Sequence, residues 1–350
     1  MQKQINFSFL LNCLKIGTIC DNFNAKTLKK ALMKKKRFDI VGMGLNAVDF
    51  LCVVPSYPRF NTKVKMLEFH KQGGGQIATA MVALSRWGLS TSYIGKVGDD
   101  ELGRFTAEEL KKEKVDIRNL VIAKGAASQF AFIIIDKKSG ERTIVWNRED
   151  RTLLKPSDIK KENITAGNIL HLDGHEIDAA LKAAKWAKKE GMTIVLDAES
   201  TKKGTEKLIQ LTDVLISSED FPCQFLGIKN QKKALKEMRG MGPEIAVITK
   251  GGKGAALLSK DCYLNLPAYP VKTKDTTGAG DIFHAGFIYG LTKKWEPGKI
   301  LAFANAAASL KCTEIGGRKG IATPQEIESF VKKRNAAQNN KILSEKREKR

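Results

Sequence analysis

The residues best suited to chemistry lie together at 274–281, which reads Lys-Asp-Thr-Thr-Gly-Ala-Gly-Asp. An apolar run follows this stretch and predicts a helix that begins there. Small residues before a helix let backbone N–H groups converge at its positive end, where they stabilise an anion. Asp281, in the first turn, could accept a proton from an attacking hydroxyl. The pattern fits phosphoryl transfer, and it fits equally well an acid that only caps the helix.

The same helix end sets an expectation for the charge of Asp281. Because the positive end of a helix stabilises a carboxylate, we expect Asp281 to stay ionised and to be a weak base. A weak base would suffice, since the loose transition state of phosphoryl transfer demands little deprotonation until late.

The elements that must position this stretch alternate between short apolar runs and longer amphipathic runs from Phe38 onward. Such alternation is typical of an α/β fold with a mostly parallel sheet and helices on both faces. The predicted strands are 38–43, 91–94, 169–172, 192–196, 214–216 and 245–249. The predicted helices are 77–87, 102–112, 179–189 and 231–238.

Two segments, about 50–72 and about 128–148, break this alternation. Residues 62–71 alternate polar and apolar side chains. The second segment holds two strand-like runs around Lys-Lys-Ser-Gly at 137–140, which predicts a β-hairpin. We expect a small side sheet that acts as a lid, with an ordinary edge hairpin as the alternative.

The basic charge of the chain is concentrated at its two ends. Of the net charge of +22, residues 1–37 supply +8 and residues 331–350 supply +6. We interpret 1–37 as a basic extension outside the fold, 38–335 as the folded domain and 336–350 as a basic tail that trails away. Residues 1–32 read as an appendage, an organelle-targeting leader or a misassigned start. Solvated tails explain the charge without specific nucleic-acid binding, and non-specific attraction to polyanions is the alternative.

The sequence predicts neither a membrane span nor a secretory signal. The apolar run near the start is too short to cross a bilayer, and no small-residue cleavage site is clear. The six cysteines form no Cys-x-x-Cys pair, which argues against zinc and redox sites. We therefore expect a cytoplasmic protein.

Two motifs in this order resemble the signatures of the PfkB/ribokinase family of carbohydrate kinases. Residues 275–281 and the following helix resemble the second signature, and Gly-Gly-Gly-Gln-Ile-Ala-Thr-Ala at 73–80 resembles the first, with Thr79 where the family usually has Asn. The resemblance spans roughly 38–331. It implies a three-layer α/β/α ribokinase-like fold with a small β-sheet lid. It also implies phosphoryl transfer from ATP to a hydroxyl of a sugar-like acceptor.

The resemblance also implies roles for individual residues. Asp281 would be the catalytic base, and the backbone of Gly278, Ala279 and Gly280 would form the anion hole. Asp275 and Thr277 would lie beside a monovalent cation such as K⁺. The residues expected to bind the acceptor are Asn46, Asp49, Gly74 and Gly75. To these we add Arg148, which follows the predicted hairpin and could equally be a solvated edge residue.

For the nucleotide, the resemblance places Thr249, Gly251 and Gly254 along the phosphates and ribose, and Asn305 in the adenine pocket. The family often carries Asn-x-x-Glu near magnesium and phosphate, and here those positions are Ser218 and Phe221. The neighbouring Glu219 could reach the water shell of Mg²⁺. ATP and Mg²⁺ are the expected cofactors, and a homodimer could form through the lid edges.

Two other functions stay open. One is a nucleoside kinase of the adenosine type, and the other is a non-catalytic sugar-binding relative. A P-loop is excluded because no Gly-x-x-x-x-Gly-Lys-Ser/Thr run exists. His171 and His175 are expected to point apart, because a turn separates them, so we expect no metal there.

Overall fold

Fourteen strands build the sheets of the computed structural model, which describes residues 36–260 and 262–348, with side chains through residue 336. They are β1 (Phe38–Met43), β2 (Ala47–Val54), β3 (Glu68–Gly74), β4 (Thr91–Ile94), β5 (Lys96–Gly98), β6 (Val121–Ala123), β7 (Phe130–Asp136), β8 (Arg142–Asn147), β9 (Gly167–Leu172), β10 (Thr193–Ala198), β11 (Val214–Ser218), β12 (Ile245–Thr249), β13 (Ala255–Leu258) and β14 (Tyr263–Leu266). The expectations for residues 1–35 lie outside the described residues.

The central sheet has eight strands in the order β14-β13-β12-β11-β10-β9-β1-β4. Six of them, from β12 to β4 in that order, pair in parallel, and β13 and β14 add an antiparallel edge. Each predicted strand matches one of these six, so the predicted α/β sheet is confirmed. Because the carboxyl ends of parallel strands meet at one edge, the loops that follow them form a common crevice there.

The helices cover both faces of this sheet. They are α1 (Gln76–Arg86), α2 (Glu101–Lys112), α3 (Lys161–Ile164), α4 (Ile177–Lys189), α5 (Thr205–Leu211), α6 (Phe221–Leu226), α7 (Gln231–Gly240), α8 (Ala279–Thr292), α9 (Pro297–Lys311) and α10 (Pro324–Glu348). Side chains alternate along each strand, so Val195 of β10 packs into the core with α1, α8 and α9, whereas Leu196 packs into the core with α4, α5 and α7. The three-layer architecture is confirmed.

A separate sheet of four strands, β3-β2-β7-β8, has the parallel pair β2 and β7 at its centre. β7 and β8 form an antiparallel hairpin whose turn contains Gly140 with φ 72°, as predicted. One face buries a small core around Leu51 and Ile133, against which Ile315 packs. The other face exposes the apolar side chains of Phe69, Phe132 and Val145. Ile144 and Trp146 of β8 are also exposed, but they alternate onto the core-side face, opposite Ile133 and Ala131. β5 and β6 form a short parallel pair of their own.

The structure departs from the sequence expectations in two segments. The alternating run 62–71 becomes a strand only from Glu68, because residues 59–67 form a turn and an irregular loop. The predicted tail 336–350 is helical through Glu348 in α10, in keeping with its Lys-, Arg-, Ala- and Glu-rich composition. No helix in the described part of the chain is long and apolar enough to cross a membrane.

Candidate active site

Asp281 lies in the first turn of α8, as predicted, and Gly278 is the N-cap of that helix with φ 75°. A Cβ on Gly278 would lie 2.6 Å from the Cα of Gly317, so a side chain there would collide with backbone. The left-handed φ and the close approach both require glycine. This glycine therefore fixes the direction in which α8 begins.

The start of α8 presents free hydrogen-bond donors. The amide of Ala279 donates to the carbonyl of Thr276 at 3.2 Å. Within the described part of the chain, the amides of Gly278, Gly280 and Asp281 donate to no acceptor. A Cβ on Gly280 would meet open space. Free amides at the positive end of a helix beside open space can hold an anion.

The charge of Asp281 differs from the sequence expectation. Burial, with the negative charges of Asp197, Glu199 and Asp49, raises the pKa of Asp281 to about 7, and His284 opposes the rise. The prediction that the helix end keeps this carboxylate fully ionised is therefore wrong near neutral pH. A carboxylate with a pKa near 7 is a better general base than an ordinary aspartate.

A buried ion pair lies behind Asp281. The Nε2 of His284 is 3.2 Å from Oδ1 of Asp197, and the His284 ring stacks on His171 at 5.5 Å between centroids. Burial opposes a charged imidazole, yet the charge and hydrogen bond of Asp197 hold the pKa of His284 above its usual range. Burial lowers the pKa of His171 to about 4. His284 is thus the cation that faces the carboxylates, and His171 stays neutral.

Asp49 and Asn46 lie at the start of β2, next to the glycines that precede α1. Asp49 is buried, and this burial raises its pKa to about 6, with Arg318 opposing. The side-chain amide of Asn46 donates to the hydroxyl of Tyr93 at 2.7 Å. A Cβ on Gly74 would lie 2.1 Å from the Asp49 carboxylate. One on Gly75 would lie 2.3 Å from the Cα of Asn46. Both positions therefore require glycine because of contacts within the chain itself.

Arg148 forms an ion pair within the chain. Its guanidinium pairs with Glu176 and donates to the carbonyl of Thr152 at 3.3 Å, and only 12% of its side chain is exposed. This ion pair satisfies the charge that was expected to meet the acceptor. The structure therefore gives Arg148 a place at the junction between the small sheet and the domain.

Several polar side chains near Asp281 and Gly74 were not predicted from the sequence. Gln76 donates to Glu199 at 2.8 Å and contacts His175 at 2.6 Å through its side-chain oxygen. Arg142 of β8 reaches from the small sheet to the hydroxyl of Thr276 at 2.6 Å. Arg318 donates to the carbonyl of Gly74 at 3.1 Å. The spacing of His284, three residues beyond Asp281 on α8, could have indicated its place beside the site. No comparable sequence pattern pointed to Arg142 or Arg318.

The residues expected at the nucleotide lie at the ends of two neighbouring strands. Ser218 of β11 and Thr249 of β12 are partners in the sheet register. Gly251 and Gly254 have φ of 52° and 90° in the turn that follows. A Cβ on Gly254 would lie 2.1 Å from the carbonyl oxygen of Leu266, so the turn packs against the end of β14.

Asn305 of α9 is buried, and its side-chain amide donates to the carbonyls of Leu266 and Pro267, each at 3.3 Å. These bonds tie the chain after β14 to α9. The side chain therefore holds one wall of the expected adenine pocket in place.

The expected metal residues differ in their surroundings. Glu219 is half exposed and pairs with Lys253 at 3.3 Å. No cluster of three His, Cys, Asp or Glu side chains suited to a metal exists in the described residues. Mg²⁺ in nucleotide sites needs only one or two carboxylates beside phosphates and water, so Glu219 and the Ser218 hydroxyl fit an ion that arrives with a nucleotide. Asp275 and Thr277 lie together and are both buried.

Comparison with known proteins identifies the family of this chain. Residues 38–324 match the family model described as pfkB family carbohydrate kinase. The chain is 26% identical to 5-dehydro-2-deoxygluconokinase of Bacillus subtilis over 87% of this chain and 99% of the relative. It is 29% identical to "Probable fructokinase-5" of Arabidopsis thaliana over 76% of this chain and 90% of the relative.

Among solved structures, the ribokinase of Arabidopsis thaliana complexed with ribose and ATP superimposes with a TM-score of 0.71. This match is 20% identical in sequence and covers 84% of this chain and 99% of that one. At that identity it shows the shared fold. The family match covers most of the chain, and the chain belongs to the pfkB family of carbohydrate kinases.

Proposed function

We propose that this protein transfers the γ-phosphoryl group of ATP to a hydroxyl of a neutral, sugar-like acceptor, with Asp281 as the base. The observation that carries the proposal is the start of α8, where free amides and a carboxylate of raised pKa lie side by side. Phosphoryl transfer needs fixed donors for the charge on the equatorial oxygens and a group that takes the hydroxyl proton.

In this mechanism Asp49 and Asn46 orient the acceptor so that one hydroxyl faces Asp281. Asp281 takes the proton of that hydroxyl as the hydroxyl oxygen attacks the γ-phosphorus, and the bond from the γ-phosphorus to the bridging oxygen of ADP breaks, so that ADP leaves. The amides of Gly278, Gly280 and Asp281 hold the oxygens of the migrating group. Mg²⁺, bound with the nucleotide near Ser218 and Glu219, would neutralise phosphate charge.

The nucleotide lies, in this proposal, along the carboxyl ends of β11 and β12. Thr249, Gly251 and Gly254 follow the phosphates and ribose, and Asn305 holds the wall beside the adenine. Open turns with left-handed glycines let the backbone approach a ligand closely. A Cβ on Gly251 would meet no atom within 4 Å, and the residue is exposed, which supports its place against the nucleotide.

The charge of the crevice favours a neutral acceptor. The pKa values of Asp281 and Asp49 are raised to about 7 and about 6 by burial and by neighbouring carboxylates. An anionic acceptor would bring a further negative charge to the same place. Carboxylates and side-chain amides, by contrast, pair well with sugar hydroxyls.

The four-stranded sheet acts as a lid in this proposal, and its exposed face is a homodimer interface. Phe69, Phe132 and Val145 are 52%, 46% and 58% exposed on that face, which makes an apolar patch of the kind that marks interfaces. Sedimentation of the wild type and of Val145→Lys tests this point, and dimer and monomer are the expected states.

A reducing compartment such as the cytoplasm suits this chain. The cysteines at 52, 223, 262 and 312 are free thiols in the described part of the chain. Free cysteines persist where thiols are kept reduced.

The decisive experiment measures ADP release from MgATP across a panel of ketohexoses, pentoses, sugar acids, sugar phosphates and adenosine. We expect turnover with a neutral sugar and a loss of at least a thousandfold for Asp281→Asn. Turnover with adenosine alone would establish the nucleoside alternative. Sugar binding by calorimetry without turnover would establish the non-catalytic one.

A further inference from the structure

The Asp275 carboxylate, six residues before Asp281, is completely buried and fully engaged. Its Oδ1 accepts from the amide and the hydroxyl of Thr277 at 2.8 and 2.7 Å. Its Oδ2 accepts from the amide of Gly316 at 2.7 Å. These bonds join the loop that leads into α8 to the loop that follows α9. Any charge placed beside Asp275 therefore acts directly on the loop that carries the anion hole.

A lysine side chain already lies at this position. Lys311, in the last turn of α9, has no exposed surface. Its ammonium nitrogen donates to the backbone carbonyl of Asp275 at 2.9 Å and is 4.0 Å from Oδ2. Burial lowers the pKa of Lys311, and the Asp275 charge opposes that change. A buried ammonium is costly unless it is paired, so the pairing with Asp275 is what retains the charge.

The surroundings of Asp275 and Thr277 do not fit a free monovalent cation. An ammonium group and K⁺ carry the same charge and have nearly the same size, and both bind carbonyl oxygens. The Asp275 carbonyl already accepts from Lys311, and its carboxylate already accepts three hydrogen bonds. A second cation beside Lys311 would meet a like charge in a buried site, where repulsion is strong.

We propose that the ammonium of Lys311 takes the place of a monovalent cation beside the anion hole, so that phosphoryl transfer by this protein is independent of K⁺. This inference rests on the proposed function. Lys311 is a positioning residue, because it acts on the bound phosphate through the loop 275–281. Because the positive charge is covalently attached to α9, it is always present beside the anion hole. The geometry of the anion hole then does not depend on the ions in solution.

The test compares the wild type with Lys311→Ala in KCl and in choline chloride at equal ionic strength. We expect wild-type kcat to be the same within twofold in both salts. In choline chloride, Lys311→Ala should lose at least tenfold in kcat with a smaller change in KM. K⁺ or NH₄⁺ should restore part of that loss, because the truncated side chain leaves room for an ion. Lys236→Ala, an exposed lysine of α7, is the matched control and should behave as the wild type.

Thermal unfolding supplies a readout that does not need turnover. Addition of KCl should raise the midpoint of Lys311→Ala relative to choline chloride and leave the wild-type midpoint unchanged. Failure of the proposed function, seen as no phosphorylated acceptor, leaves this readout intact, so the two failures are distinguishable. Lys311→Met, which fills the space without a charge, should be inactive in both salts.

Two results would overturn the inference. One is a wild-type enzyme that needs K⁺ for activity or is stabilised by it specifically, and this measurement holds even where the variants do not fold. The other is a folded Lys311→Ala that keeps full activity in choline chloride, which would leave Lys311 with a packing role only.

Discussion

Replacement of Asp281 by Asn should stabilise the fold while it abolishes activity. The folded-state pKa of about 7 lies above the ordinary 3.8. Between these values the native state binds more protons than the unfolded state, so stability falls as pH rises from about 4 to 7. At about 1.36 kcal/mol per pKa unit, the shift of roughly three units lowers the stability of the wild type by about 4 kcal/mol. This penalty is fully present above pH 7 and absent below pH 4. The neutral Asn escapes this penalty.

Urea unfolding at pH 5 and pH 8 measures the effect. From the same two pKa values, the advantage of Asp281→Asn over the wild type should grow by about 2.5 kcal/mol between pH 5 and pH 8. Asp150→Asn, at an exposed position, is the matched control and should show no growth. A variant that is less stable than the wild type at pH 8, or an advantage that does not change with pH, would refute the assignment of charge around Asp281.

Three further outcomes follow from the same site. The value of kcat/KM should fall about tenfold between pH 8 and pH 6, because a base with a pKa of about 7 is mostly protonated at pH 6. A flat pH profile would contradict this expectation. Asp49→Asn, which removes a neighbouring negative charge, should shift the fall in kcat/KM to lower pH. Gly278→Ala should lose about 1–3 kcal/mol of stability and most activity, because it strains a left-handed residue, whereas Gly280→Ala, whose Cβ meets open space, should fold normally; circular dichroism melts compare the two. Arg142→Gln should raise KM for ATP or acceptor at least fivefold, because the contact of Arg142 with Thr276 joins the small sheet to the loop 275–281. The melting temperature should change by no more than a degree or two, because the contact is exposed. Unchanged kinetics would show that this contact has no part in binding.

The sequence was sufficient to predict the central sheet because its strands are short apolar runs separated by amphipathic helices. The start of α8 was predictable because small residues and an acid directly precede an apolar run, which is the pattern of a helix N-terminus. The charge of Asp281 was not predictable, since it depends on Asp197 and Glu199 at the end of β10 and on Asp49 in β2, which are far from Asp281 in the sequence. An argument from the helix end accounts only for the local dipole of α8.

Lys311 shows the same limit of prediction from sequence, here for a buried cation. It is the single basic residue between Leu301 and Cys312, a run of apolar and small residues in α9, which signals a buried charge but not its partner. Its partner Asp275 is 36 residues away, and only the packing of α9 against the loop before α8 brings the two together. The ion pair of Arg148 with Glu176, the residue before α4, was likewise not predictable, because 28 residues separate the two in the sequence.

One further consequence follows from the position of Asp49 on β2. In the proposed mechanism the acceptor is bound by Asp49 of the small sheet, whereas the base and the anion hole lie at the start of α8, which packs on the large sheet. The proposal therefore places recognition and reaction on separate pieces of the protein. New acceptors could be accommodated by rewriting β2, β3 and their neighbours while the phosphoryl-transfer machinery is inherited unchanged, which makes this architecture a modular starting point for redesign.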